Sequence, residues 1–241
     1  MEKTSAAKAE GPLATSLSTE AGGLSLAGGS PLLALFHRLH AAYGPQSWWP
    51  AETAFEMIAG AYLTQNTNWR NVELALANLN AAGRLSVEGI RSLPIQELEQ
   101  LVRPSGFFRQ KALRLKAFVG FLEAAFHGDL GALLALPTAT LREHLLALPG
   151  VGRETADSIL LYAAQRPVFV IDLYTRRLLL AEGIFPDALT VGYDELRERV
   201  ESSSSLAFPD EAERTRMFNE FHALIVVGGK VSRRSPAPSC R

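Results

Sequence analysis

From Pro31 onward, apolar side chains recur at helical spacing in ten short segments that glycines and prolines interrupt. The segments read LLALFHRLHAAYG, TAFEMIAGAYLTQ, VELALANLNAAG, IQELEQLV, RQKALRLKAFVGFLEAAF, LREHLLAL, RETADSILLYAA, LYTRRLLLAEG, YDELRERVESS and ERTRMFNEFHALIVV. Stops fall at Gly44-Pro45, Gly83, Pro94, Pro104, Gly106, Pro137, Pro149, Gly183 and Pro186, residue types that end helices by missing amides or left-handed backbone. The run PVFVI at 167–171 is too short and solitary to build a sheet. The expected fold class is all-α, with no fixed repeat period.

A chain of 241 residues, 47% hydrophobic and 20% charged, is large enough for one domain or two close lobes. Residues 1–30 are mostly Ala, Gly, Ser, Thr and Glu and cannot bury enough surface to offset the entropy of ordering, so a disordered tail is expected there. The single cysteine, Cys240, excludes an intramolecular disulfide framework and points to a reducing, cytoplasmic setting. No stretch approaches the roughly 18 apolar residues of a membrane span, and the first residues lack an apolar signal region, so no membrane association is expected. The formal charge of −1 hides local asymmetry. Arg103, Arg109, Lys111, Arg114 and Lys116 cluster with no acid among them, and Lys230, Arg233, Arg234 and Arg241 follow near the end, so a polyanionic partner is compatible with the charge balance.

The most informative stretch is LLALPGVGRETADSILLYAAQRPVFVIDLYTRRLLL, residues 145–180. Pro149 ends one helix, Leu148, Gly150, Val151 and Gly152 form a tight hairpin, and Arg153 opens the next helix. Bare amides at such a hairpin bind anions, and glycines let a phosphate approach the backbone. On the glycines alone an ordinary turn between two helices is the favoured reading. Asp172 follows the apolar run and precedes LYTRRLLL, where it reads as a helix N-cap. A cap carboxylate is also held rigidly and kept ionised by the helix dipole, so the same residue can do chemistry.

These residues resemble the endonuclease III-like superfamily of helix-hairpin-helix DNA glycosylases, whose pattern is LPGVG, a helix, an apolar run ending in Asp, and a helix with Arg. AYLTQNTNW at 61–69, RPSGFFRQKALRL at 103–115 and FHALIVVGGK at 221–230 extend the likeness. The combination of WWP, LTQNT, SGFFRQKA and GRETAD is most similar to the branch that excises 3-methyladenine and related alkylated bases. The resemblance implies two helical lobes with the active-site cleft between them. Residues 31–241 would form this domain, with a central lobe over about 52–165 and the other lobe from about 31–51 and 166–241. It implies a monomer acting on double-stranded DNA that contains damaged bases.

By the same resemblance, Asp172 is the catalytic carboxylate, and Gln65 and Asn66 reach the partner base orphaned when a nucleotide flips out. Trp48, Trp49, Pro50 and Trp69 are expected around the flipped base, since an alkylated purine is cationic and aromatic faces attract cations. Adjacent Trp48 and Trp49 cannot share one helix face, although core packing is the ordinary role of tryptophan. Leu148, Gly150, Val151, Gly152, Arg153, Arg109 and Lys111 are expected on the DNA backbone, with Lys230 near the pocket. His222 falls on an apolar helix face and is expected to be a hydrogen-bonded core residue without chemistry.

Two departures from the family bear on the reaction. Bifunctional members carry a lysine at the position of Glu154, and a glutamate cannot form the Schiff base that leads to strand cleavage. Iron–sulfur members follow the FHALIVVGGK-like stretch with four cysteines, the position of the first being Arg233 here. Of those ligands only Cys240 is present, so no cluster and no other metal is expected. The alternatives that fit the same residues are a glycosylase for mismatched or oxidised bases and a catalytically silent lesion-binding module.

Overall fold

The computed structural model describes residues 30–49, 51–205 and 208–232. These residues form α1 (Pro31–Tyr43), α2 (Ala54–Leu63), α3 (Trp69–Ala81), α4 (Val87–Ser92), α5 (Ile95–Val102) and α6 (Phe108–Phe126). They continue through α7 (Leu130–Leu134), α8 (Thr138–Leu146), α9 (Arg153–Ser158), α10 (Leu173–Ala181), α11 (Tyr193–Ser205) and α12 (Glu211–Ser232). A 3₁₀ turn at Arg103–Ser105 precedes α6, and a π-helical turn at Ile159–Ala163 extends α9. No strand occurs among the described residues, and PVFVI runs as irregular chain. The expectations for the tail and for Pro50 and Cys240 lie outside the described residues, Ser30 apart.

Helix starts follow local capping chemistry. The side chains of Thr53, Asn68, Ser86, Asp129 and Asp172 each accept a first-turn amide of the helix they precede. All ten segments read from the sequence are helical at their centres, and α4 and α7 are additional.

Buried side chains gather into two clusters. One unites α2 through α9 around Phe55, Tyr62, Leu79, Leu98, Phe118, Leu145 and Ile159. The second joins α1, α10, α11 and α12 around Leu35, Phe169, Leu179, Leu196, Phe218 and Phe221, and borrows Met57, Leu161 and Tyr162 from the first group of helices. Val168 packs into the first cluster and Phe169, Val170 and Ile171 into the second, so the apolar run crosses from one core to the other. Asp172 comes next, where the chain enters the space between them.

No helix among the described residues is long and apolar enough to cross a membrane.

Candidate active site

A cavity of about 750 Å³ is walled by elements from both clusters. Trp48 and Trp49 contribute from the segment after α1, Thr64 and Trp69 from around the α2–α3 loop, Glu154 and Ser158 from α9, Asp172 and Tyr174 from the start of α10, and His222 and Lys230 from α12. The three indoles meet: Trp48 and Trp69 centroids are 5.0 Å apart, and Trp49 meets Trp69 edge-on at 4.8 Å. Gly60 makes this possible, because a Cβ there would come within 2.8 Å of the Trp49 ring.

Asp172 is the best-held group in the cavity. It N-caps α10, with Oδ1 accepting the Thr175 amide at 2.7 Å, and its side chain is 13% exposed. His222 Nε2 stands 3.7 Å from the other oxygen, Oδ2. Burial pushes the carboxyl up, but the His222 contact and charge and the Thr175 bonds outweigh it and hold Asp172 below its ordinary value. Glu154 moves the opposite way: burial of its carboxyl, then the Asp172 charge, push it up, with His222 partly offsetting them. As a whole residue Glu154 is exposed at the cavity rim while its carboxyl end lies within range of Asp172. Two carboxylates thus share one cavity with ionisations driven apart.

The hairpin sits beside this cavity. Gly150 has φ +74° and is exposed, and Gly152, at the N-cap of α9, supplies no capping side chain to the first-turn amides. Leu148 and Val151 anchor the turn, each 8% exposed, while Arg153 pairs with Asp194 at 2.9 Å and stays largely exposed. A Cβ on Gly150 would fall 2.0 Å from Arg114 Nε. Gly150→Ala is therefore expected to lower stability by roughly 1–2 kcal/mol, the cost of a left-handed residue, and to weaken duplex binding. Thermal melts and anisotropy with a DNA duplex check both.

Two sequence expectations need correction. Lys111, expected on a DNA phosphate, is 1% exposed; Nζ donates to the carbonyls of Leu63 at 2.8 Å and Ser105 at 2.6 Å. Burial, then the Arg114 charge, lower it to about 8. It is a staple between the end of α2 and the turn before α6. Gln65, expected at the orphaned base, spends its amide elsewhere: Nε2 donates to Gly150 O and Thr155 Oγ1, each at 3.0 Å, and Oε1 accepts from Arg114. It ties the loop to the hairpin.

Asn66 is exposed at φ +53° beside a neighbouring hollow shared with Thr67, Leu173, Tyr174 and Arg177. Arg109 is exposed at the start of α6, its guanidinium 5.7 Å from the Phe108 ring centre. His222, expected to be a hydrogen-bonded core residue, is buried at 8% exposure and also lines the cavity beside Asp172. Its Nδ1 bonds the Tyr162 hydroxyl at 2.6 Å, a contact across 60 residues that no local pattern announces. Among the described residues no group of three or more His, Cys, Asp or Glu side chains converges to hold a metal.

Two helical lobes, a glycine hairpin and an aspartate at the cleft between them define the helix-hairpin-helix class. Residues 59–200 match the family described as HhH-GPD superfamily base excision DNA repair protein, and the chain belongs to that family. Protein MJ1434 of Methanocaldococcus jannaschii, provisionally assigned as a DNA repair glycosylase, is 42% identical over 185 residues, 76% of this chain and 80% of that protein. The 3-methyladenine DNA glycosylase MagIII of H. pylori, solved with 1,N6-ethenoadenine, is similar at a TM-score of 0.71 and 27% identity, covering 86% of this chain and 99% of that one. An endonuclease III in a non-covalent DNA complex shares the fold at a TM-score of 0.67 and 20% identity, over 87% and 90% of the two chains.

Proposed function

We propose that this protein is a monofunctional DNA glycosylase that flips alkylated purines such as 3-methyladenine out of duplex DNA and releases them by hydrolysis. The observation that carries the reading is the cavity itself, whose lining brings together three indoles and two carboxylates shifted in opposite directions. A purine alkylated at N3 or N7 is cationic, and aromatic faces attract a cation by about 0.5–2 kcal/mol. The likeness to a 3-methyladenine glycosylase over most of both chains supports the same substrate class.

The cationic base is already a good leaving group, so the sugar sets the demand. As the glycosidic bond breaks, C1′ becomes oxocarbenium-like, and an ionised Asp172 stabilises that charge and orients the attacking water. The hairpin amides around Gly150 and Gly152 grip the strand from beside the cleft, with Arg109 and Asn66 as further contacts. Lys230 reaches the cavity rim from α12.

Hydrolysis without strand cleavage follows from Glu154, which replaces an amine with a group that cannot form a Schiff base. Borohydride should trap no DNA adduct with the wild-type protein. A covalent band abolished by Lys230→Ala would identify Lys230 as an amine nucleophile and overturn the monofunctional reading. The donor set for an iron–sulfur cluster does not fit either, since Arg233 stands where the family's first cysteine ligand would be. No step is assigned to such a group.

The decisive experiment is base release from duplexes carrying 3-methyladenine, 7-methylguanine, hypoxanthine, uracil or thymine opposite guanine. Release confined to the methylated purines is expected. Preferential release of thymine or uracil would replace the alkylation reading by a mismatch one, and tight lesion binding without release would mark a silent module.

A further inference from the structure

Tyr162, His222 and Asp172 form a chain that leads from the interior to the cavity. Tyr162 is 3% exposed and stacks 5.4 Å from Trp49, and its hydroxyl meets His222 Nδ1 at 2.6 Å. His222 is 8% exposed, and its Nε2 has no hydrogen-bond partner within reach although it is buried. The nearest charge that nitrogen faces is Asp172 Oδ2 at 3.7 Å.

The Tyr162 contact bears on where the imidazole proton resides. Burial, then the charges of Asp172 and Glu220, hold the phenol well above its ordinary value, so it stays protonated and can donate. When Tyr162 donates to Nδ1, a neutral His222 carries its proton on Nε2. When His222 is doubly protonated, Nδ1–H donates to the phenol oxygen and Nε2 again carries a proton. Only the Nδ1–H neutral tautomer would turn a lone pair toward the carboxylate, an arrangement that the Asp172 charge resists.

We propose that His222 is the positioning residue of the catalytic carboxylate: Tyr162 locks its tautomer, and the Nε2–H dipole orients Asp172. The proposal rests on Asp172 being the reacting carboxylate. Oδ1 is fixed by the Thr175 amide from α10 and Oδ2 is drawn toward α12, so the carboxyl plane is set by two helices. The 3.7 Å gap is longer than a direct hydrogen bond, which leaves Oδ2 its lone pairs for the sugar. Arg70, Glu154, Tyr174, His222 and Lys230 are the titratable groups that share the cavity with Asp172, and Tyr162 stands behind His222. Of these, His222 is the one whose charge and contact draw Asp172 downward, whereas Glu154 and Tyr162 are themselves raised by the Asp172 charge.

Three variants of the full chain test this: His222→Leu removes the donor, His222→Gln returns an amide N–H at similar reach, and Tyr162→Phe removes only the lock. Nitrogen-15 NMR of wild type should find His222 protonated on Nε2, with both tautomers appearing in Tyr162→Phe. The carbon-13 titration midpoint of the Asp172 carboxyl should rise in His222→Leu and return toward wild type in His222→Gln. Single-turnover base release should fall about 10- to 100-fold in His222→Leu, the range for outer partners that orient a reacting group, with duplex affinity unchanged and most of the rate recovered in His222→Gln. A wild-type Nδ1–H tautomer overturns the proposal, as does an Asp172 midpoint indifferent to His222. If His222→Leu fails to fold, the wild-type tautomer and Tyr162→Phe decide the question. Absence of base release by wild type, with both NMR results as expected, would sink the glycosylase reading and leave the His222–Asp172 couple standing.

Discussion

Asp172→Asn is expected to leave the fold and duplex binding intact and to slow base release about 10²- to 10³-fold, the cost of removing one preorganised electrostatic group from a transition state. The fold survives because Asn is as good an N-cap as Asp, and its Oδ1 can still accept the Thr175 amide that the Asp172 carboxylate accepts at 2.7 Å. What disappears is the negative charge that faces C1′ as the sugar becomes cationic. The pH dependence gives the same group a second signature. Burial raises Asp172, and the His222 contact and charge with the Thr175 bonds lower it further than burial raises it. A depressed folded-state value means that the carboxylate stabilises the fold above its unfolded value of about 3.9, and this contribution is lost as pH falls through the lower folded value. Base release by wild type should therefore lose the Asp172 contribution at a lower pH than an ordinary aspartate would give, whereas Glu154, shifted upward, titrates above its ordinary value. Single-turnover release of methylated purine against pH measures both limbs. An Asn variant with the wild-type rate would reject the assignment.

Much of this site can be read from the residues because its signals are local. Asp172 is legible as a cap after an apolar run, and the hairpin glycines are legible because left-handed backbone selects for them. The helices α4 and α7 escape notice for a physical reason: six and five residues are too few for a 3.6-residue period to register. The capping residues Ser86 and Asp129 were the signals that could have found them. Lys111 looks like one member of a basic run, yet Lys111, Leu115, Phe118 and Leu122 recur at helical spacing on one face of α6, and all four are buried. That period, given more weight than the charge count, would have put the ammonium inside. His222 had no such signal. Its neighbours on α12 are apolar, and its meaning depends on Tyr162 and Asp172, which only the tertiary fold brings to its two ring nitrogens.

The hairpin owes its stability to a second buried carboxylate, and Asp157→Asn is expected to cost about 3–5 kcal/mol, the penalty for removing one partner of a buried ion pair. Asp157 is 0% exposed on α9. Arg142 of α8 grips it with Nε at 2.7 Å and a terminal nitrogen at 3.2 Å, and Arg197 of α11 approaches at 3.4 Å. Arg142 also reaches Asp194 at 2.7 Å, and Asp194 in turn holds Arg153, the first residue after the hairpin, at 2.9 Å. One carboxylate therefore joins the helix that carries the hairpin to an element of each lobe. Asparagine keeps the shape but offers one acceptor oxygen to two guanidinium groups with side chains only 17% and 14% exposed. A chain of this size should lose roughly 10 °C in melting temperature at such a cost, and duplex affinity should fall even below that temperature as Arg153 and the hairpin lose their anchor. Asp187→Asn supplies the contrast: its pair with Arg199 is also short, at 2.8 Å, but half in solvent, and little change is expected. Denaturant unfolding of both variants measures the difference, and equal midpoints would show that the Asp157 network does not clamp the lobes.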